Sequence, residues 1–125
     1  MVEVVCDTSF LIHIATKRIK NIPNLETEIG SIQFVVPDIV IQELKKLSKN
    51  EKKKPLILSA LEFIKNLKTI KIAGTFVDES IMSYTKKHGG IIATMDTNLK
   101  HKIKECGSSV VSISNDKIVL EPSKI

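Results

Sequence analysis

Asp7, Glu43, Asp78 and Asp96 are the side chains of this sequence whose type and placement could do chemistry. Asp7 ends the apolar run 2–6, and Asp96 ends the run 91–95. Asp78 opens a helix-like stretch after Phe76-Val77, and Glu43 lies in another helix-like stretch, close to its apolar stripe. In a parallel α/β sheet, strand ends and the helix starts that follow them lie along one edge, where ligands bind. Four carboxylates gathered there repel one another unless a cation holds them. Carboxylate oxygens without a His or Cys cluster suit Mg2+ or Mn2+, not structural zinc. Such ions lower the pKa of bound water and clamp the oxygens of an in-line displacement at phosphorus.

Each aspartate taken singly has a plainer explanation, because Asp is favoured at helix N-caps and interacts well with the helix dipole. Glu43 escapes that explanation. It stands three residues after Val40 and four before Leu47, so it borders the stripe that faces the sheet. A carboxylate near a core face is costly unless it is paired or bound to a metal. Its plainer alternatives are a boundary residue reaching outward or a pair with a nearby lysine. The combination of four is therefore more specific than its members.

The elements that must position these acids alternate along the chain. Apolar runs predict strands at 2–6, 32–36, 69–72, 91–95 and 109–113, with a last edge strand at 117–120 after the turn Asn115-Asp116. Helices are expected at 8–17, 38–48, 56–67, 78–88 and 97–106, and 21–30 reads as a further helical or irregular piece. Pro37 suits the first position of a helix, Gly89-Gly90 stops one, and the lysine-rich stretch up to Pro55 reads as a loop or helix break. Alternating strands and helices, with continuously apolar strands, call for a parallel sheet covered on both faces. Its crossovers should be right-handed.

A length of 125 residues and 42% apolar content fit one domain, 1–125, with a real core. No apolar run approaches the roughly 18 residues a membrane helix requires. Glu3 and Asp7 break the N-terminal run, so no signal peptide is expected and a cytoplasmic location is the default. Cys6 and Cys106 have no zinc-spaced partners and read as reduced thiols. His13, His88 and His101 add no further site.

The net charge is +5, and segment 45–54 carries all of that excess: Lys45, Lys46, Lys49, Lys52, Lys53 and Lys54 against Glu51. A solvated helix end explains this as well as a phosphate-attracting patch does. Lysines act as point charges and lack the planar fork that reads base edges. Any nucleic-acid binding should therefore be led by the phosphate backbone and be salt-sensitive. One Tyr, four Phe and no Trp argue against a stacking sheet of the RRM or OB type.

Four motifs in order carry a resemblance. Val5-Cys6-Asp7-Thr8-Ser9-Phe10-Leu11-Ile12 is similar to the first acid motif of the PIN-domain ribonucleases, a strand ending in D-[ST]-[SN]. The stretch Val36-Pro37-Asp38-Ile39-Val40-Ile41-Gln42-Glu43-Leu44 is similar to the second, and Val77-Asp78-Glu79-Ser80-Ile81 resembles the third. Ile92-Ala93-Thr94-Met95-Asp96-Thr97-Asn98-Leu99 resembles the fourth, T-x-D-x-x-L. The resemblance implies a three-layer α/β/α fold around a parallel five-stranded sheet. It implies a Mg2+- or Mn2+-dependent endoribonuclease cutting single-stranded or loop RNA. Asp7, Glu43, Asp78 and Asp96 would be its catalytic, metal-binding acids, with Asp7 and Asp96 on the main ion. Thr8 or Ser9 would support Asp7, and Thr94 and Asn98 would be polar neighbours of Asp96. Many free-standing members carry an acid near the position of Asn98, which leaves the metal count open.

The family offers two roles, the toxin of a toxin–antitoxin pair, with an antitoxin protein as partner, or a nuclease of ribosomal RNA maturation, working with ribosome-assembly factors. It also commonly forms homodimers. The rival reading is a non-catalytic RNA-binding or assembly module on the same fold. Other phosphate-handling α/β proteins fit poorly. A haloacid-dehalogenase phosphatase needs a second Asp where Ser9 stands, and a receiver domain needs one where Gly74 and Thr75 follow strand 69–72.

Overall fold

The computed structural model describes residues 2–16, 30–115 and 117–123. Six strands form one sheet: β1 (Val2–Cys6), β2 (Ile32–Pro37), β3 (Lys68–Ile70), β4 (Ile91–Ala93), β5 (Val110–Ser114) and β6 (Lys117–Glu121). Their spatial order is β3-β2-β1-β4-β5-β6, parallel throughout except for β6, which runs antiparallel to β5. Among the described residues the helices are α1 (Thr8–Thr16), α2 (Asp38–Leu47), α3 (Lys54–Ile64), α4 (Val77–His88) and α5 (Thr97–Glu105). The piece expected at 21–30 lies outside the described residues, apart from Gly30.

The chain steps from β1 outward to β2 and β3, then returns along α4 to the other side of β1. The strand order therefore reverses between β1 and β4, whose pairing sets Cys6 against Ala93. At such a reversal the connections leave in opposite directions, opening a crevice beyond the strand C-termini. Right-handed crossovers place α1, α2 and α3, which pack on one another, on one face of the sheet. Helices α4 and α5 pack against β4 and β5 on the other, giving three α/β/α layers.

The central strands show why both faces must be covered. Val4, Val5 and Cys6 are consecutive and fully buried, as are Val35-Val36 and Val110-Val111. Phe10 and Leu11 of α1, Leu44 of α2, Ile57 of α3, Ile81 of α4 and Leu99 and Ile103 of α5 close over them. Each such side chain contributes about 1.5–3 kcal/mol by leaving water.

Several boundaries differ from the sequence expectation, and three of them have a clear local reason. Strand β4 stops at Ala93: Thr94 N still reaches Val111 O (3.0 Å), but the two amides after it turn to side chains, Met95 N donating to Ser9 Oγ (3.0 Å) and Asp96 N to Thr94 Oγ1 (3.1 Å). Strand β3 stops at Ile70, and Ile72 N donates instead to Asp38 Oδ1 (3.1 Å) at the start of α2. Helix α3 begins at Lys54, before the proline expected to exclude it, because Pro55 occupies the first turn, where a missing N–H costs nothing. Pro37 is the N-cap of α2 and the last residue of β2, one place before the expected position.

Candidate active site

The crevice at the strand reversal is built around Asp7. Its backbone continues β1, with Asp7 N donating to Ala93 O (2.9 Å), and its carbonyl accepts from Leu11 N (3.2 Å) to start α1. The side chain is 5% exposed, so a charge there needs partners. Two hydroxyls supply them: Thr94 Oγ1 donates to Asp7 Oδ2 at 2.8 Å and Ser9 Oγ to the same oxygen at 2.9 Å. The two hydroxyls lie 3.2 Å from each other. Both bonds fall on Oδ2, so one oxygen of the carboxylate is doubly anchored.

Asp96 is the N-cap of α5, with Oδ1 accepting from Leu99 N at 3.0 Å. The capping explanation thus holds for Asp96. It fails for Asp78, because Phe76 is the N-cap of α4 and Asp78 lies within the first turn. It fails for the Asp7 carboxylate too, whose bonds go to hydroxyls.

Electrostatics tie the acids together. Partial burial, then the charge of Asp7, then that of Asp78, raises the Glu43 carboxyl above its ordinary pKa. Thr8 and Lys46 oppose that rise. Partial desolvation, then Asp7, then Asp96, raises Asp78 likewise, with Lys102 opposing, although Asp78 as a whole residue is exposed. Asp7 is the charge felt by both. The Thr8 hydroxyl lies close enough to Glu43 to favour its ionised form, but not in the geometry of a full hydrogen bond. Thr8 Oγ1 is accordingly a buried oxygen without a well-formed partner.

The donor chemistry fits a hard divalent cation: carboxylate oxygens that disfavour each other's charge, with no imidazole or thiolate among them. Among the described residues, no three His, Cys, Asp or Glu side chains come together as a group that could hold a metal ion. Mg2+ takes one or two carboxylates directly and keeps several waters, a requirement an open arrangement of acids meets.

Other expected residues fall at varying removes. Ser9, not Thr8, bonds Asp7. Thr94 serves Asp7 as well as the Asp96 amide. Asn98 is exposed on the first turn of α5. Lys45, Lys46, Lys49, Lys52, Lys53 and Lys54 are all exposed. Of these, Lys46 acts on Glu43 and shares with it a cleft of about 310 Å³ that Gln42, Gly74 and Thr75 also line. Sequence reasoning gives no reason to single out Lys102 or Phe76. The first depends on how α5 packs beside α4, and the second on a loop whose course is not periodic.

A protein-family model described as a PIN like domain matches residues 4–115. Among solved structures, that of the PIN domain endonuclease Utp24 is similar, with 27% identity, a TM-score of 0.78, and 96% of this chain and 91% of that one covered. A domain of a functionally unknown protein from Methanocaldococcus jannaschii superposes with a TM-score of 0.58 at 16% identity, covering 91% and 92% of the two chains. The T5 D15 protein, co-crystallized with metal ions, does so at 0.52 and 13% identity, over 93% of this chain and 56% of that one. A search of curated proteins finds no match.

Proposed function

We propose, from the premise that this chain belongs to the PIN-like domain family, that it is a divalent-metal-dependent endoribonuclease. The observation that carries the proposal is the field around Asp7. One buried carboxylate is anchored by Ser9 and Thr94, and its charge adds to partial burial, the larger cause, in raising the carboxyls of both Glu43 and Asp78. The likeness to the endonuclease Utp24 over nearly the whole chain supports the same reading.

Asp7, Glu43, Asp78 and Asp96 would hold Mg2+ or Mn2+. The bound ion supplies Lewis acidity toward phosphodiester oxygens and a lowered pKa for attacking water. The chain's own residues do the rest. Ser9 and Thr94 fix one oxygen of Asp7 and so orient the other. Thr94 also fixes the backbone at Asp96, and the dipole of α5 favours a negative group at its N-terminus. Lys46, at the crevice wall, and the lysines that follow it attract the RNA backbone as point charges.

The test is cleavage of structured and unstructured RNA with and without EDTA, with Asp7→Asn in parallel. Cleavage should require metal and vanish in Asp7→Asn. RNA binding by that variant should be unchanged or tighter, because a negative charge is gone. Full activity in Asp7→Asn, or cleavage indifferent to EDTA, would sink the proposal.

A further inference from the structure

Phe76 is the most exposed large apolar side chain among the described residues, at 69% of its full surface. Its backbone is held firmly all the same. Its carbonyl accepts from both Ser80 N (3.0 Å) and Ser80 Oγ (2.6 Å), which fixes it at the start of α4. The loop before it is pressed onto the same serine. Gly74 has φ +131°, and a Cβ there would fall 2.0 Å from Ser80 Oγ. Only glycine permits this approach. A ring displayed on so constrained a base gives up apolar burial while losing little freedom when something stacks on it.

The surroundings specify what would stack. Phe76 lines a groove of about 290 Å³ whose Gly74 and Thr75 also line the cleft of Glu43 and Lys46. In the other direction the groove shares Ala73, Ser80 and Ser83 with a hollow reaching Lys71 and Lys87. Through these shared lining residues one track runs from the Glu43–Lys46 cleft, past an exposed aromatic face, to two further lysines. Along α4 the span from position 76 to 87 is about 16 Å. Cationic groups separated by an aromatic face match a single-stranded polynucleotide, whose phosphates take the lysines and whose base takes the ring. Glu79 also lines the groove near Phe76. It disfavours a phosphate there and can accept from a base amino group, which again puts a base at that point.

We infer that Phe76 is a base-stacking platform that holds one nucleotide of single-stranded RNA beside the acid crevice, with Lys71 and Lys87 engaging the strand beyond it. The inference rests on the nuclease reading for its substrate, and the experiment separates the two. The full chain carrying Asp7→Asn is titrated with a short, labelled single-stranded RNA. Adding F76A or F76L should weaken binding about tenfold, the loss of one stacked base. F76W should retain affinity. The chain has no tryptophan, so the indole of F76W is its sole such reporter, and RNA should quench it. Unchanged affinity in F76A, an indole indifferent to saturating RNA, or no RNA binding at all overturns the inference and assigns the ring to a protein contact. If any of these occurs while the unsubstituted chain still cleaves RNA, the nuclease reading stands alone. Binding that depends on Phe76 without cleavage removes that reading and keeps the platform.

Discussion

Thr94 Oγ1 donates to Asp7 Oδ2 at 2.8 Å, joining residues 87 positions apart at the ends of neighbouring parallel strands. The same oxygen accepts from Asp96 N at 3.1 Å. One buried hydroxyl thus links two of the four acids, holding the side chain of one and the backbone of the other. Thr94 is fully buried, so no water can replace either bond without rearrangement.

Replacing Thr94 by Val keeps the shape and removes both bonds. Asp7 would keep only Ser9, and the amide of Asp96 would lose its acceptor. Leaving such groups unpaired costs about 1–3 kcal/mol, and denaturant unfolding should show a loss of that size. Cleavage should fall by about tenfold to a hundredfold through kcat, since each ten is about 1.4 kcal/mol of misplaced Asp7 and Asp96. RNA affinity should hold. Thr94→Ser, which restores the hydroxyl, should recover most of the rate. A Thr94→Val enzyme with normal kcat would show that the link has no part in the reaction.

Much of this site is legible in the sequence, and the limits are physical. Asp7 and Asp96 are found from apolar runs because a buried parallel strand must be apolar and must end where its backbone meets solvent. Glu43 is found from its place beside a helical stripe. The hydroxyl roles are not so readable. Thr8 and Ser9 both follow Asp7, and a helical turn of about 100° per residue sends one toward Glu43 and the other onto Asp7. The short β4 is hidden too, since Thr94 and Met95 look strand-like until the amides of Met95 and Asp96 are seen bonded to Ser9 and Thr94. Phe76 is invisible as a platform because an aromatic in a loop reads like any other core anchor.

The raised carboxyls of Glu43 and Asp78 set a pH dependence. Their ordinary values are 4.5 and 3.8, and burial followed by the charge of Asp7 raises both. A group whose folded-state pKa exceeds its unfolded one stabilises the fold below the unfolded value and loses that contribution as pH rises through the folded value. The metal-free chain should therefore lose stability relative to Glu43→Gln as pH climbs from about 4 to neutrality. Mn2+ held by these acids, as proposed, would relieve the repulsion and compete with the same protons, so its effect on Tm should be larger at about pH 8 than at about pH 5. Thermal melts of both chains with and without Mn2+ across that range check the prediction. A Tm increment that ignores pH would separate metal binding from these carboxyls.

Glu121 behaves in the opposite sense. Burial pushes its carboxyl up, but hydrogen bonds from Lys104, Ser112 and Lys100 win and hold it at about 2. Lys104 Nζ lies 2.6 Å from Oε1, and Lys100 Nζ 3.2 Å from Oε2. The side chain is 27% exposed and its lysines about 20%, so solvent screens these pairs less than ordinary surface ones. They tie β6 to α5, the helix that Asp96 caps. A depressed folded-state pKa gives stability that is present above the unfolded value and lost as pH falls through the folded one. Glu121→Gln should therefore destabilise the chain at neutral pH by about 1–2 kcal/mol. The gap between variant and parent should close as pH drops from about 4.5 toward 2, where the parent's own carboxyl takes up its proton. Denaturant midpoints of both chains at neutral and acid pH measure it. A gap that persists at the acid end would mean that Glu121 acts through packing and not through its charge.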